Sequence, residues 1–201
     1  PRGRQARATA FQGLGLLAGL LLTAPLAWLA SFRLLPWLLG HLGLPALLLL
    51  TPLLAAGTLA LYTLGAVALT VAVKRMLIGR YTARREPVWG AYYVRHWLVA
   101  LTARLIPWRT LEGTPFQASV LRALGATVGA RVHLQRNTAL HLGGWDLLTL
   151  GDDASVGQDA WLRLVDLEDG ELVIGPVTLG AGAALEPRAG MDGDTELGPG
   201  A

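Results

Sequence analysis

Aliphatic residues recur every six positions through the C-terminal half of the chain, and that interval leaves few folds open. Val128, Leu134 and Leu140 are six apart, as are Leu150, Val156 and Leu162, and again Leu179, Leu185, Met191 and Leu197. A fixed internal interval signals a repeat architecture, in which a unit buries its apolar residue only by stacking on its neighbours. Each six-residue unit supplies one strand and one corner, so one aliphatic side chain per unit points into a prism, and three units complete a triangular coil. Coils stack about 4.8 Å apart, the spacing of neighbouring strands. A small residue is expected where the chain turns, four places after the aliphatic one, and Ala154, Ala160, Ala183, Ala189, Thr195 and Ala201 fill that place. Gly151, Gly157, Gly175, Gly180 and Gly198 directly follow an aliphatic residue, where a missing Cβ permits a tight corner. The expected fold of residues 113–201 is a left-handed parallel β-helix, a hexapeptide-repeat solenoid.

Two interruptions break the pattern. Leu140 to Leu150 is ten residues and passes through His141, Gly143, Gly144, Trp145 and Asp146, which predicts a short extruded loop. Leu162 to Ile174 is twelve residues; two regular units here would point Glu168 into the apolar prism. With Asp169 and Gly170 between two apolar stretches, the segment reads instead as a hairpin with a two-residue turn. From Ile174 to Leu179 the unit is one residue short, around Pro176. A solenoid leaves its last coil as an open edge unless it is capped. The chain starts at Pro1 without Met and stops at Ala201 within the pattern, so a piece of a longer protein is expected.

The N-terminal half is of another kind. Residues 1–85 hold nine Lys or Arg and no acid, whereas residues 113–201 hold five Arg against twelve acids. From Phe11 to Phe32 no charge interrupts a run rich in Leu and Ala, and about 20 helical residues cross a hydrocarbon core of roughly 30 Å. Leu44 to Val73 is long enough for a second, tilted span despite Pro45 and Pro52. Leu34 to Gly43 reads as the turn between them, because Pro36, Gly40 and Gly43 disfavour an unbroken helix. The leading arginines and the small residues from Ala27 to Ser31 also fit a cleaved secretory signal, but the run exceeds the roughly 7–15 residues of a signal core and a second span follows. Gly15 and Gly19 form a GxxxG spacing, weak in so glycine-rich a chain.

Cationic loops stay cytoplasmic. Arg2, Arg4 and Arg7 precede the first span, and Lys74, Arg75, Arg80, Arg84 and Arg85 follow the second, while Arg33 alone lies between. Both ends, and with them the repeat domain, are expected in the cytoplasm. Trp28 and Trp37 then lie near the outer boundary and Tyr81 and Trp89 near the inner one. Because the basic residues flank apolar runs rather than gathering on a folded domain, the net charge of +3 gives no support for nucleic-acid binding. The organisation read from the sequence is thus a two-helix transmembrane hairpin at 1–85, an amphipathic linker at 86–112 and the β-helix at 113–201. Within the linker, Val88 to Ile106 repeats Tyr93, Trp97, Leu101 and Leu105 beside Val94 and Leu98, as on one helical face, with Arg95 and Thr102 opposite and Arg104 on the wrong side. This fits a helix lying along the membrane or one packed on the next domain.

Gly113, Thr114 and Pro115 leading into Leu121–Arg122–Ala123–Leu124–Gly125–Ala126, then Asp146–Leu147–Leu148–Thr149–Leu150–Gly151–Asp152, then Gly175–Pro176–Val177, resemble the membrane-bound C-terminal region of non-ribosomal peptide synthetases of the ε-poly-lysine synthetase type. In that family membrane helices alternate with soluble hexapeptide-repeat domains downstream of adenylation and carrier domains. The resemblance implies a multi-pass unit of a bacterial plasma (inner) membrane. Its partners would be the lipid bilayer, the carrier and adenylation domains of the same polypeptide and further membrane or repeat units. It implies a role in joining carrier-bound amino acids, and assigns no residue to that step. No cofactor is expected in this chain itself; a phosphopantetheine-linked or other thioester substrate would be presented by a partner.

Hexapeptide-repeat β-helices are also common among acyltransferases, which use a His as general base on the nucleophile attacking an acyl thioester. His141, beside the glycine-rich interruption, is the candidate catalytic base, with Asp146 close enough in sequence to orient its imidazole; the plainer reading is a surface His on a loop. His133 precedes an inward Leu and is expected to face solvent, and His41 and His96 to lie at the membrane interface. Asp152, Asp153, Asp166, Glu168, Asp169, Asp192 and Asp194 read as solvated edge and turn residues rather than a cation site. The absence of Cys excludes disulfides, thiolate zinc sites and a cysteine nucleophile. No GxxxxGK, GxSxG or HExxH motif occurs, so nucleotide hydrolysis and metallohydrolase chemistry have no support. Two classes remain: a membrane-tethered acyl or aminoacyl transferase-like domain, and a non-catalytic anchor, scaffold or part of an export path.

Overall fold

The computed structural model describes residues 10, 13, 17, 21, 24, 25, 27–138 and 140–201, in two compact units, Pro1–Leu64 and Gly65–Ala201. In the first, a run of leucine and alanine without a fixed charge after Arg33 forms helix, as those residue types favour. The helix spans Ala27–Leu77 and is the one helix among the described residues long and apolar enough to cross a membrane. It comprises a π-helical turn, Ala30–Leu34, and α1, Leu35–Leu77. It is apolar on every side, and most of its leucines remain exposed, Leu49 by 83% and Leu61 by 73%. Water would penalise such a surface over this length.

The ten-residue turn expected over Leu34–Gly43 shrinks to one residue. Only Gly43, at φ 72° and ψ 162°, leaves helical geometry, a conformation open to glycine, and Pro45 follows in the first turn beyond it. Half of the expected first span, Phe11 to Phe32, lies outside the described residues, as do Arg2, Arg4, Arg7, Gly15 and Gly19.

In the second unit the six-residue interval becomes three parallel ladders that the chain visits in turn. The strands are β2 (Thr127–Val128), β3 (His133–Leu134), β4 (Leu148–Leu150), β5 (Ser155–Val156), β6 (Trp161–Arg163), β9 (Val177–Leu179), β10 (Ala184–Leu185), β11 (Gly190–Asp192) and β12 (Thr195–Leu197). One ladder has the order β12-β9-β4-β2, the second β10-β5-β3, the third β11-β6. Register stacks the aliphatic positions upon one another: Val128 on Leu150, Leu179 and Leu197, Leu134 on Val156 and Leu185, Leu162 on Met191. All are buried except Leu197, in the last strand, which is half-buried.

At the corners the missing Cβ matters as expected, and it does so through close approach to the neighbouring backbone at Gly151, Gly157, Gly175 and Gly180. At Gly157 a Cβ would lie 2.5 Å from the Pro187 nitrogen, and at Gly180 2.5 Å from that of Pro199, so only hydrogen fits against the neighbouring coil. The left-handed backbone comes three residues after the aliphatic one, at Arg131, Asn137, Asp153, Asp159, Arg188 and Asp194. Asp and Asn tolerate that region best among residues with a side chain. Stacked corners also pair: Arg131 donates to both oxygens of Asp153, at 2.6 Å each, and Asn137 Nδ2 to Asp159 Oδ1 at 2.7 Å. Of the acids read as edge and turn residues, Asp153 and Asp194 occupy such corners, and Asp192 ends a strand.

The twelve-residue interruption is the hairpin expected. β7 (Val165–Glu168) and β8 (Glu171–Ile174) pair antiparallel with Glu168 opposite Glu171. Asp169 at φ 47° and Gly170 at φ 80° make its two-residue turn. β1 (Arg84–Pro87) adds to the far edge of β8.

Helix α2, Ala91–Ala103, buries His96, Val99 and Ala103. The apolar stripe of Tyr93, Trp97 and Leu101 beside that face is only half-buried. The packed side is therefore turned from the one periodicity selected, and His96 is a core residue rather than an interfacial one. A short helix α3, Trp108–Leu111, leads to α4, Pro115–Leu124, with Pro at its start and Gly125 at φ 112° as its C-cap. α4 buries Gln117, Ala118, Val120, Leu121 and Leu124 and packs on β2 and β3, closing the first coil.

The ten-residue interruption does not extrude. Trp145 is fully buried, its indole Nε1 donating to Leu140 O at 2.7 Å and its ring meeting Tyr81 edge-on at 6.3 Å. Burying the largest apolar surface in the segment outweighs leaving the loop in water.

Candidate functional site

His141 and Asp146, paired by proximity in sequence, line different cavities. Asp146 sits on a 3-10 turn, Trp145–Leu147, and its carboxylate is already engaged. Lys74 Nζ lies 2.8 Å from Oδ1 and 2.7 Å from Oδ2, and the Tyr81 amide donates to Oδ2 at 2.9 Å. Lys74, the chain's single lysine, donates also to Leu124 O at 2.6 Å. Both side chains are nearly enclosed, 6% and 11% exposed. A Cβ at Gly125 would lie 2.7 Å from that Nζ, so the C-cap glycine of α4 also makes room for the pair. Asp146 thus ties the end of α1 to the strand-rich region and has no hydrogen bond to His141 among the described residues.

Behind this pair, Tyr81 OH and His96 Nδ1 lie 3.1 Å apart. Burial raises the Tyr81 hydroxyl above its ordinary range and lowers His96 from 6.5 to about 4, so both are neutral at pH 7. A histidine with a depressed folded pKa contributes its full stability above the unfolded value and loses it as pH falls. The unfolded chain binds the proton first. Between pH 6.5 and 4 this site should cost about 3 kcal/mol. Chemical unfolding at stepped pH checks it, and His96→Gln should flatten that limb; an equally steep limb in the variant would assign the loss elsewhere.

His141 opens into a cavity of about 930 Å³. Arg104, at the end of α2, Trp108 and Arg109 on α3, and Glu112 line one side; Arg136, Asn137 and Thr138, at the corner after β3, line the other. The Asn137 amide donates to Glu112 Oε2 at 3.1 Å, and Gln117 Nε2, buried under α4, donates to Thr138 Oγ1 at 3.3 Å. These bonds hold the corner against the helices. Burial first, and Arg104 second, lower the His141 pKa, against an opposing pull from Glu112. A neutral imidazole facing guanidinium groups can accept a proton while the arginines hold a carboxylate or phosphate.

Sequence reasoning selected His141 and missed Arg104, Arg109, Glu112 and Arg136. One signal was present: Arg104 interrupts the apolar stripe that runs along α2. His133 is exposed, as expected, and His41 is exposed with Nδ1 2.8 Å from Trp37 O.

Over 129 residues, 64% of the chain, the sequence is 32% identical to the Delta-poly-L-ornithine synthetase of Acinetobacter baumannii (strain AB307-0294). The similarity is to a synthetase. The chain spans 10% of the length of that relative. No family model matches the chain, and no solved structure matches it.

Proposed function

We propose that this chain is a membrane-tethered, acyltransferase-like unit of a non-ribosomal-peptide-synthetase-type polypeptide, joining amino acids presented as carrier-bound thioesters. Two transmembrane helices, the second following Gly43, would carry a left-handed β-helix of hexapeptide repeats on the cytoplasmic side of a bacterial plasma membrane. The stacked aliphatic register and the parallel ladders visited in turn support the β-helix. The name of the similar protein supports the synthetase setting. The observation that carries the chemistry is His141, half-buried and held neutral in a cavity with Arg104, Arg109 and Arg136.

In this reading His141 takes a proton from the acceptor amine as its nitrogen attacks the thioester carbonyl. The C–N bond forms, the C–S bond breaks, and the thiolate leaves with the proton passed back from the imidazolium. The arginines hold the anionic part of the substrate or its carrier arm. Asp146 takes no part in orienting the base, because Lys74 and Tyr81 occupy it.

His141→Gln in the full-length protein should lower turnover about 100-fold or more, with membrane integration and unfolding unchanged. Unchanged product formation would assign the unit to the second reading, a non-catalytic anchor and scaffold or part of an export path. That reading draws on the commitment of Asp146 to Lys74, which takes that carboxylate away from the imidazole.

A further inference from the structure

A second cavity, of about 700 Å³, opens beside the last turns of α1 and is lined by Val71, Lys74, Arg75, Arg80 and, from α4, Arg122. Four cations meet one acid there, Asp146, which Lys74 already neutralises. Arg122 spends Nε and one terminal nitrogen on the carbonyls of Val128 and Gly129, at 2.9 and 2.6 Å. Arg75 and Arg80 are exposed and have no ion-pair partner among the described residues. Some exposed arginines of this unit find acids, Arg131 with Asp153, Arg163 with Asp166 and Asp192, Arg85 with Glu168, while Arg188, at a corner outside this cavity, is exposed without an ion pair among the described residues. What sets this cavity apart is concentration: its cations converge in one concave lining whose single acid Lys74 already neutralises, so an anion held there comes from outside the chain.

Position selects its source. Val71, Lys74 and Arg75 lie three and four residues apart, on one face of the helix. The charge-free stretch from Leu44 to Val73 ends where the cavity begins. A ligand with a phosphate at Arg75 and Arg80 and acyl chains along the apolar helix satisfies both halves of that surface. We propose that this cavity binds the headgroup phosphate of an anionic glycerophospholipid, seating the repeat domain against the cytoplasmic leaflet. The proposal rests on the reading that α1 lies in the membrane and is independent of any chemistry at His141.

The whole chain, reconstituted in nanodiscs of phosphatidylcholine or of an equal phosphatidylcholine–phosphatidylglycerol mixture, tests it by native mass spectrometry of retained lipid. Phosphatidylglycerol should be retained in preference to phosphatidylcholine. Arg75→Gln and Arg80→Gln should each weaken retention about fivefold, and together about 25-fold, given the contribution of a basic residue near an anionic surface. Arg188→Gln, the same charge loss at a distant corner, should change nothing. Equal retention of both lipids, or equal losses in the distant control, overturns the site. Binding of glycerol 3-phosphate in phosphatidylcholine discs as tight as that of phosphatidylglycerol would make a soluble phosphate the ligand and overturn the lipid assignment. A chain that alkaline extraction strips from the discs would overturn the membrane reading along with this one; a chain that stays inserted without lipid preference overturns this inference alone.

Discussion

Lys74→Met should destabilise the unit Gly65–Ala201 by about 3–5 kcal/mol, the usual loss when one partner of a buried ion pair is removed. The lysine and Asp146 side chains are 6% and 11% exposed, so little water reaches the abandoned carboxylate, which keeps only the Tyr81 amide. The Leu124 carbonyl loses its donor as well. Removing both charges, in Lys74→Met with Asp146→Leu, should recover part of the loss. The Tyr81 amide and the Leu124 carbonyl then remain unmet, at about 1–3 kcal/mol for each. Denaturant titration of the whole chain in detergent, followed by tryptophan fluorescence, reads both variants. A double variant no more stable than Lys74→Met would show that the pair does not act as a unit.

Trp145→Ala should cost about 3–5 kcal/mol, the range for emptying a tryptophan-sized space in a core. The indole is fully buried and donates to Leu140 O, so the truncation opens a cavity and frees a carbonyl. Trp145→Phe keeps most of the apolar volume and should lose less than half as much. The same titration checks both, with His141→Gln as a neighbour expected to leave stability unchanged. If Trp145→Ala proved as stable as the parent, the interruption would be the extruded loop that repeat counting suggests.

The strand-rich C-terminal region was largely legible in the sequence because its information is local and periodic. Once one aliphatic residue per six must be buried, register follows, and the stacking of Leu134 on Val156 and Leu185 repeats what spacing alone predicts. The hairpin was legible for the same reason, since Asp169–Gly170 supplies the two positive φ angles that a two-residue turn requires. The long apolar helix needed only composition and length.

The candidate site was less legible. Its parts come from segments whose contacts no spacing encodes: Arg104 and Arg109 from the linker, Arg136 from a corner, His141 from the interruption. Proximity in sequence suggested Asp146 for His141, but a carboxylate goes to the cation that neutralises it most fully, and that is Lys74, 72 residues away. Periodicity marked α2 as amphipathic and missed the face that packs, because a buried His96 counts as polar in a sequence yet costs little once neutral and within reach of Tyr81. The corner glycines show the same division. Their positions are written in the six-residue interval, whereas their reason, a neighbouring coil too close for any Cβ, exists only after the coils have stacked.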